Sequence, residues 1–347
     1  MRGVQKQQGA WFARVKIGLI LSIAKKLRHC EILEPFDDAL LKQLASCGTI
    51  LRYQAGEEIF GQGSLAESLY VIVKGAVRLQ RDTQLGPFTL TTMNRGDLFD
   101  ERFLLRSEER TLGAMAETRV ELVALDLTSL RAAAETRPSF EMALSWVLWK
   151  GLSLKLRLSN QKLAEFFASD DAASRDEEPT ERKPPRQGSF RIDMAAKRDL
   201  FDEQHLTPME INFLASLSRE ESYGPNEAIF HEGESGEAMY VVLDGTVLIS
   251  KFIPGGGDEG LAFLGRGEYF GEMAVMDHVP RSASARAHTS GAVVLAIPRN
   301  VAAGILDVQK ASSTRLLTLL CNMASRRLLE SDDKLVGWFL LSAGHAG

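Results

Sequence analysis

Glu272 and Arg281 stand nine positions apart (281 − 272 = 9) in the segment Gly267–Ala287, GEYFGEMAVMDHVPRSASARA. An arginine presents a planar fork of N–H donors, the geometry that suits a phosphate. Ser282 adds a hydroxyl and Ala283 keeps the neighbourhood small. Upstream, Phe270-Gly271-Glu272-Met273-Ala274 places a glycine at a turn and then residues that favour a short helix. The first N–H groups of such a helix lack intrahelical partners and converge on an anion. Glu272 is the odd member, because a carboxylate repels a phosphate. It fits if it accepts hydrogen bonds from hydroxyls, as a ribose offers. A phosphate donor and a ribose acceptor in one small pocket describe a nucleotide site.

Such a pocket needs a scaffold, and the chain spells that scaffold twice. Residues 53–77 and 223–247 align at one offset (233 − 63 = 170), which becomes 171 further on (272 − 101 and 281 − 110). A shared register over so long a stretch marks a duplication. Each copy opens on a helical stretch, Asp37–Ser46 and Thr207–Leu217, the second announced by the capping signal Thr207-Pro208-Met209-Glu210. Short apolar runs follow, Leu69–Val73 and Met239–Leu243, broken by Gly75 and Gly245. Strands this short with glycine turns imply an antiparallel roll. Each copy ends in a long helical pattern, Phe140–Phe167 and Ser312–Leu341. Between them Ser169–Gly188 carries three prolines and otherwise no apolar residue larger than alanine, the composition of a flexible linker. The expected fold class is α+β, mainly β: two tandem antiparallel, jelly-roll-like β-rolls, each flanked by N-terminal helices and a long C-terminal helix. The expected division is an N-terminal helical segment (1–30), a first roll (31–167), a linker (168–190) and a second roll (191–341).

Phe270, Gly271, Glu272, Ala274, Pro280, Arg281, Ser282 and Ala283 together resemble the phosphate-binding cassette of the cyclic-nucleotide-binding domain family, with Val275 at a position usually held by leucine. With Gly233, Tyr240 and Gly245 upstream, the resemblance covers nearly all of 194–341. It implies that Arg281 holds the cyclic phosphate and Glu272 the ribose 2′-hydroxyl. Gly271 and Ala274 would lend backbone N–H groups, with Met273 between them and Ser282 and Ala283 close by. The implied ligand is cyclic AMP, with cyclic GMP the alternative, since the Ser282 hydroxyl serves binders of either kind in that family.

The first copy departs from this pattern. Glu101 and Arg110 keep the spacing of nine, but Asp100 replaces the glycine, Phe103 the alanine and Glu109 the proline. A further carboxylate and a bulky ring oppose a phosphate by repulsion and occlusion. Glu101, Arg110 and Thr111 therefore form a degenerate second site, in a roll expected to serve structure or dimerisation.

Other classes of function find little support. Net charge is −5 with pI ≈ 5.8, so no global basic field draws nucleic acid. Cys30, Cys47 and Cys321 form no CxxC pair, which suits free thiols in a reducing, cytoplasmic setting. The six histidines make no HxxxH pair, and no nucleophile–base set occurs, so neither a metal site nor an enzyme is expected. Trp11–Leu27 is apolar but interrupted by Arg14, Lys16, Lys25 and Lys26, and is too short to span a bilayer. Its stripe Phe12, Val15, Leu19, Ile23 and Leu27 is expected to pack on the first roll, a peripheral membrane contact being the alternative. Trp146, Trp149 and Trp338 read as packing residues on the long helices. Arg315–Leu335 resembles the family's dimerising helix, and the twelve residues after it (347 − 335 = 12) are too few for a DNA-reading domain. The expectation is a receptor acting through a protein partner, with the long C-terminal helices available for homodimerisation. The alternative is a scaffold built of rolls that bind no ligand.

Overall fold

The computed structural model describes residues 17–105, 109–167, 194–204, 206, 208–253, 257–306 and 314–344. Phe12, Val15, Ser169–Gly188 and Thr207 lie outside them. The chain divides into two compact units, Met1–Leu152 with Lys334–Gly347, and Ser153–Asp333.

The first unit begins with a helix α1 over residues 17–27. Ile23, Ala24 and Leu27 are buried, and Lys26 pairs with Glu121 of the roll at 2.6 Å. Leu19, expected in the buried stripe, is instead 49% exposed. The inward face is carried by 23, 24 and 27, the i, i+1, i+4 set of one helical side, and the turn before it projects past the contact. Helix α2 (Asp38–Ser46) starts where the Asp37 carboxylate accepts the Leu40 N–H at 2.8 Å.

Eight strands follow: β1 (Gly48–Tyr53), β2 (Glu58–Phe60), β3 (Ser68–Lys74), β4 (Val77–Thr83), β5 (Gly86–Met93), β6 (Leu98–Phe99), β7 (Gly113–Ala116) and β8 (Val120–Asp126). They form two antiparallel sheets ordered β1-β8-β3-β6 and β2-β7-β4-β5. Val71, Ile72, Leu122, Val123 and Leu125 of the first sheet are fully buried, so both of its faces are covered. A short helix α3 (Arg102–Leu105) interrupts the strands, and α4 (Leu127–Thr136) and α5 (Pro138–Phe167) follow. Trp149 on α5 is 1% exposed, a packing residue.

The second unit repeats this plan after α6 (Met194–Asp202) and α7 (Pro208–Leu217). Its strands are β9 (Arg219–Tyr223), β10 (Ala228–Phe230), β11 (Ala238–Ile253), β12 (Gly257–Leu264), β13 (Tyr269–Phe270) and β14 (Ser284–Pro298). Here β11 covers what β3 and β4 do in the first unit, and one sheet results, ordered β10-β14-β11-β12 with β13 on β11 and β9 on β14. The pivot is Gly75 or Gly245, at φ +86° and +77°. A Cβ there would collide with the carbonyl oxygen of Arg119 or Gly291, so neither position admits a side chain. Helices α8 (Glu272–Met276), α9 (Arg299–Ile305) and α10 (Thr314–Gly344) complete the chain.

Candidate functional site: two arginine-centred cassettes

In the second unit, β13 pairs with β11 so that Phe270 faces Tyr240. Phe230, Tyr240 and Phe270 form an aromatic cluster with centroids 5.1–6.0 Å apart. The chain then turns at Gly271 (φ +70°) into α8. A Cβ on Gly271 would lie 2.5 Å from Arg281 Nη1 and 3.1 Å from the Phe230 ring. Glycine suits both the backbone angle and this space, and a side chain here would have to displace the Arg281 fork.

Arg281 is fixed from both sides. Its backbone N–H donates to the Glu234 carbonyl at 2.9 Å, and its own carbonyl accepts from Gly233 at 2.9 Å. The guanidinium donates to the Gly271 carbonyl and, at 2.7 Å, to the Ala238 carbonyl. It lies over the Phe230 ring, 4.1 Å from the centroid, a cation–π distance. The residue is 5% exposed, yet it walls a cavity of about 260 Å³ together with Phe230, Tyr240, Glu234, Ser235 and Glu237. A cation held on a ring and on carbonyls, facing a half-open pocket, is suited to an anion that brings its own oxygens.

The other expected residues group around it. Ala274 is buried, and Gly236 approaches it so closely that a Cβ there would lie 2.5 Å from the Ala274 Cβ. Met273 and Ser282 are half-buried, Ala283 is buried, and the Ser282 carbonyl accepts from Lys251 at 3.4 Å. Glu272 is not part of the cavity wall. It is 4% exposed and pairs with Arg327 of α10 at 3.2 Å, while Arg327 also donates to the Tyr269 carbonyl. Within the same unit, Arg157 of α5 grips the Asp277 carboxylate with two bonds of 3.0 Å and the Pro280 carbonyl at 2.8 Å. The loop that leads into Arg281 is thereby tied down.

Sequence reasoning missed the aromatic floor, Arg327 and Arg157. The one available signal was the basic pair Arg326-Arg327 following the largely apolar run Leu316–Ala324.

The first unit builds the same cassette around Arg110, 6% exposed. Phe60, Tyr70 and Phe99 repeat the aromatic cluster at 5.0–5.9 Å, and Arg110 lies 3.9 Å from the Phe60 centroid. Its backbone is clipped identically, donating to Ser64 at 3.0 Å and accepting from Gly63 at 2.8 Å. Burial raises the Tyr70 phenol pKa, which the Arg110 charge partly offsets.

The side-chain partners of Arg110 are different. Asp100 occupies the glycine position with φ +72°. Its carboxylate accepts from Arg110 Nε at 2.9 Å and Nη2 at 2.5 Å. Both side chains are buried, at 6% and 4% exposed. Arg110 Nη1 donates to the Ser64 hydroxyl at 3.0 Å and the Leu65 carbonyl at 2.7 Å. Phe103 adds its ring at 6.0 Å. Glu101 is 1% exposed, and Thr111 accepts from Arg102 at 3.1 Å. The sequence read Asp100 as a charge repelling a ligand; in the structure it is bound to the arginine itself.

Among the described residues no group of histidine, cysteine and carboxylate side chains could hold a metal, and no helix is long and apolar enough to cross a membrane. Cys30, Cys47 and Cys321 form no disulfide, and burial pushes the Cys30 thiol up to about 11.

Comparison with known proteins agrees with this geometry. A cyclic AMP receptor protein of Thermus thermophilus is 35% identical over 130 residues, covering 38% of this chain and 58% of its own. The cAMP-dependent protein kinase type II regulatory subunit of Drosophila melanogaster is 25% identical over 288 residues, covering 83% of this chain and 59% of its own. A cGMP-dependent protein kinase of Caenorhabditis briggsae is 24% identical over 258 residues, covering 74% of this chain and 28% of its own. The chain thus spans less than two thirds of the length of each. The family profile described as cyclic nucleotide-binding domain matches residues 50–137 and 220–308, just over half the chain. The protein belongs to the cyclic nucleotide-binding domain family and carries two tandem copies of its fold.

Proposed function

We propose that the second unit is the receptor site for one cyclic nucleotide and that the chain is a sensor acting through a protein partner. The observation that carries this is Arg281, a buried cation on the wall of a cavity of about 260 Å³, with a glycine rather than a side chain at position 271. A cyclic phosphate would take the guanidinium, and the base would lie in the cavity against Tyr240. Cyclic AMP is the proposed ligand, because two of the relatives above are named for it. Cyclic GMP is the competitor to test. The cassette residues have no catalytic task in this reading.

Transmission would run through Glu272. Its carboxylate is held by Arg327, so a ribose hydroxyl arriving at Glu272 perturbs the attachment of α10 to the cassette. Such a helix has two seats, on the cassette or away from it. To reverse a hundredfold bias between them, the ligand must prefer one seat by ~5.5 kcal/mol, which phosphate and ribose contacts made in that seat alone would supply. Calorimetric titration with each nucleotide tests the assignment. The expected result is one equivalent per chain, absent in Arg281→Ala. Two equivalents, or unchanged affinity in that variant, would overturn it.

A further inference from the structure

The first cassette contains a cation as deeply buried as Arg281, and the cation already has an anion. Asp100 reaches Arg110 with one carboxylate oxygen shared by two guanidinium nitrogens, Nε and Nη2, the edge that a phosphate oxygen could also take. It does so from a left-handed backbone position (φ +72°) that aspartate tolerates better than most residues. The remaining side-chain contacts of Arg110 differ, going to the Ser64 hydroxyl and the Leu65 carbonyl, but its seat is the same. The aromatic floor under Arg110 and the backbone clip on Ser64 and Gly63 match those of Arg281.

We propose that Asp100 is a built-in anion, taking on Arg110 the place that a phosphate would take on Arg281 in the second unit. The first unit is then a filled site, and removing this one carboxylate makes it a binding site for a small exchangeable oxyanion. Phosphate is the fitting class. Phe103 stands where the second unit has Ala274, and its ring 6.0 Å from the guanidinium takes up space a nucleotide would need. The likeness to a phosphate rests on the reading of Arg281 given above, whereas the occupied seat is an observation on Arg110 itself.

The test uses the full chain with Arg281→Ala in place, so that only the first cassette can respond. Adding Asp100→Gly restores the residue that this backbone angle favours and leaves Arg110 buried without its carboxylate. The melting temperature should fall by several degrees, and inorganic phosphate should restore it in a concentration-dependent way, whereas chloride at equal ionic strength should not. Adding Arg110→Ala should abolish that phosphate response. Asp100→Asn, which keeps the shape and removes the charge, gives a second reading should the glycine variant fail to fold.

A phosphate response no larger than that of chloride in both variants, or both misfolding with and without phosphate, overturns the proposal. The two readings fail separately. If the Arg281 assignment is wrong, the unaltered chain binds no cyclic nucleotide while the phosphate response at Arg110 persists. If the Asp100 proposal is wrong, the unaltered chain still binds one nucleotide and phosphate does nothing at Arg110.

Discussion

Arg110 and Arg281 share a ring beneath them, a backbone clip beside them and the same depth of burial, yet they are arranged for opposite ends. One is bound by Asp100 from its own cassette. At the matching position of the other stands Gly271, which has no side chain to offer. On the proposed reading, binding competence in this fold depends on a missing group as much as on a present one. A charged, well-ordered pocket is not by itself a receptor.

The largest effect expected from breaking this comparison comes from the two arginines. Arg281→Ala should lose nucleotide affinity by roughly a hundred- to several-thousand-fold, because a buried charge pair broken on one side costs about 3–5 kcal/mol. Arg110→Ala should leave stoichiometry and affinity untouched while destabilising the first unit by a similar amount, since Asp100 stays buried without its partner. Titration and chemical denaturation of the two variants side by side decide it. Any loss of bound nucleotide in Arg110→Ala breaks the contrast.

Next comes the transplant. Gly271→Asp writes the first cassette into the second and should abolish binding as thoroughly as Arg281→Ala. The protein should stay folded, because aspartate already occupies this geometry at Asp100. A variant that still binds cyclic nucleotide shows that Asp100 is not what distinguishes the cassettes.

Arg327→Ala sharpens the same contrast at the level of transmission. Affinity should change by less than about tenfold, since the phosphate seat is intact. The change in hydrogen exchange of α10 on adding nucleotide should disappear, because the Arg327–Glu272 pair carries it. Persistence of that change in the variant would mean that the signal leaves the cassette by another route. The smallest effect is expected from Arg157→Ala. Its pair with Asp277 is partly solvent-exposed, so losing it should cost about 1 kcal/mol, roughly fivefold in affinity. A loss as large as that of Arg281→Ala would promote Arg157 from a positioning residue to part of the seat itself.

The duplication, the strand runs and the cassette spacing were legible because each is local. Gly75 marks a strand break and Gly245 an irregularity inside β11, each at an angle that favours glycine, and the nine-residue interval survives in both copies. The bounds of the long helices were recovered to within a few residues, Pro138–Phe167 and Thr314–Gly344 against Phe140–Phe167 and Ser312–Leu341. What could not be read depends on distance along the chain. Phe60 and Phe230 look like any apolar strand residue until the fold brings an arginine over them. Arg327 lies fifty-five residues from Glu272 (327 − 272 = 55), and Arg157 lies 120 from Asp277. Asp100 was seen, and seen as repulsive, because a sequence shows the sign of a charge but not the direction in which its side chain turns.

Asp100 and Gly271 hold nearly the same backbone angle, φ +72° and +70°. Glycine codons of the GGT and GGC type become aspartate codons by changing the middle base alone. On the proposed reading, a single point mutation seats or unseats a carboxylate on the arginine, at a backbone angle that both glycine and aspartate take. Reopening the first cassette to a nucleotide would need a second change at Phe103, whereas closing the second would need only the one at Gly271. Loss of a ligand is then a shorter path through sequence than its recovery.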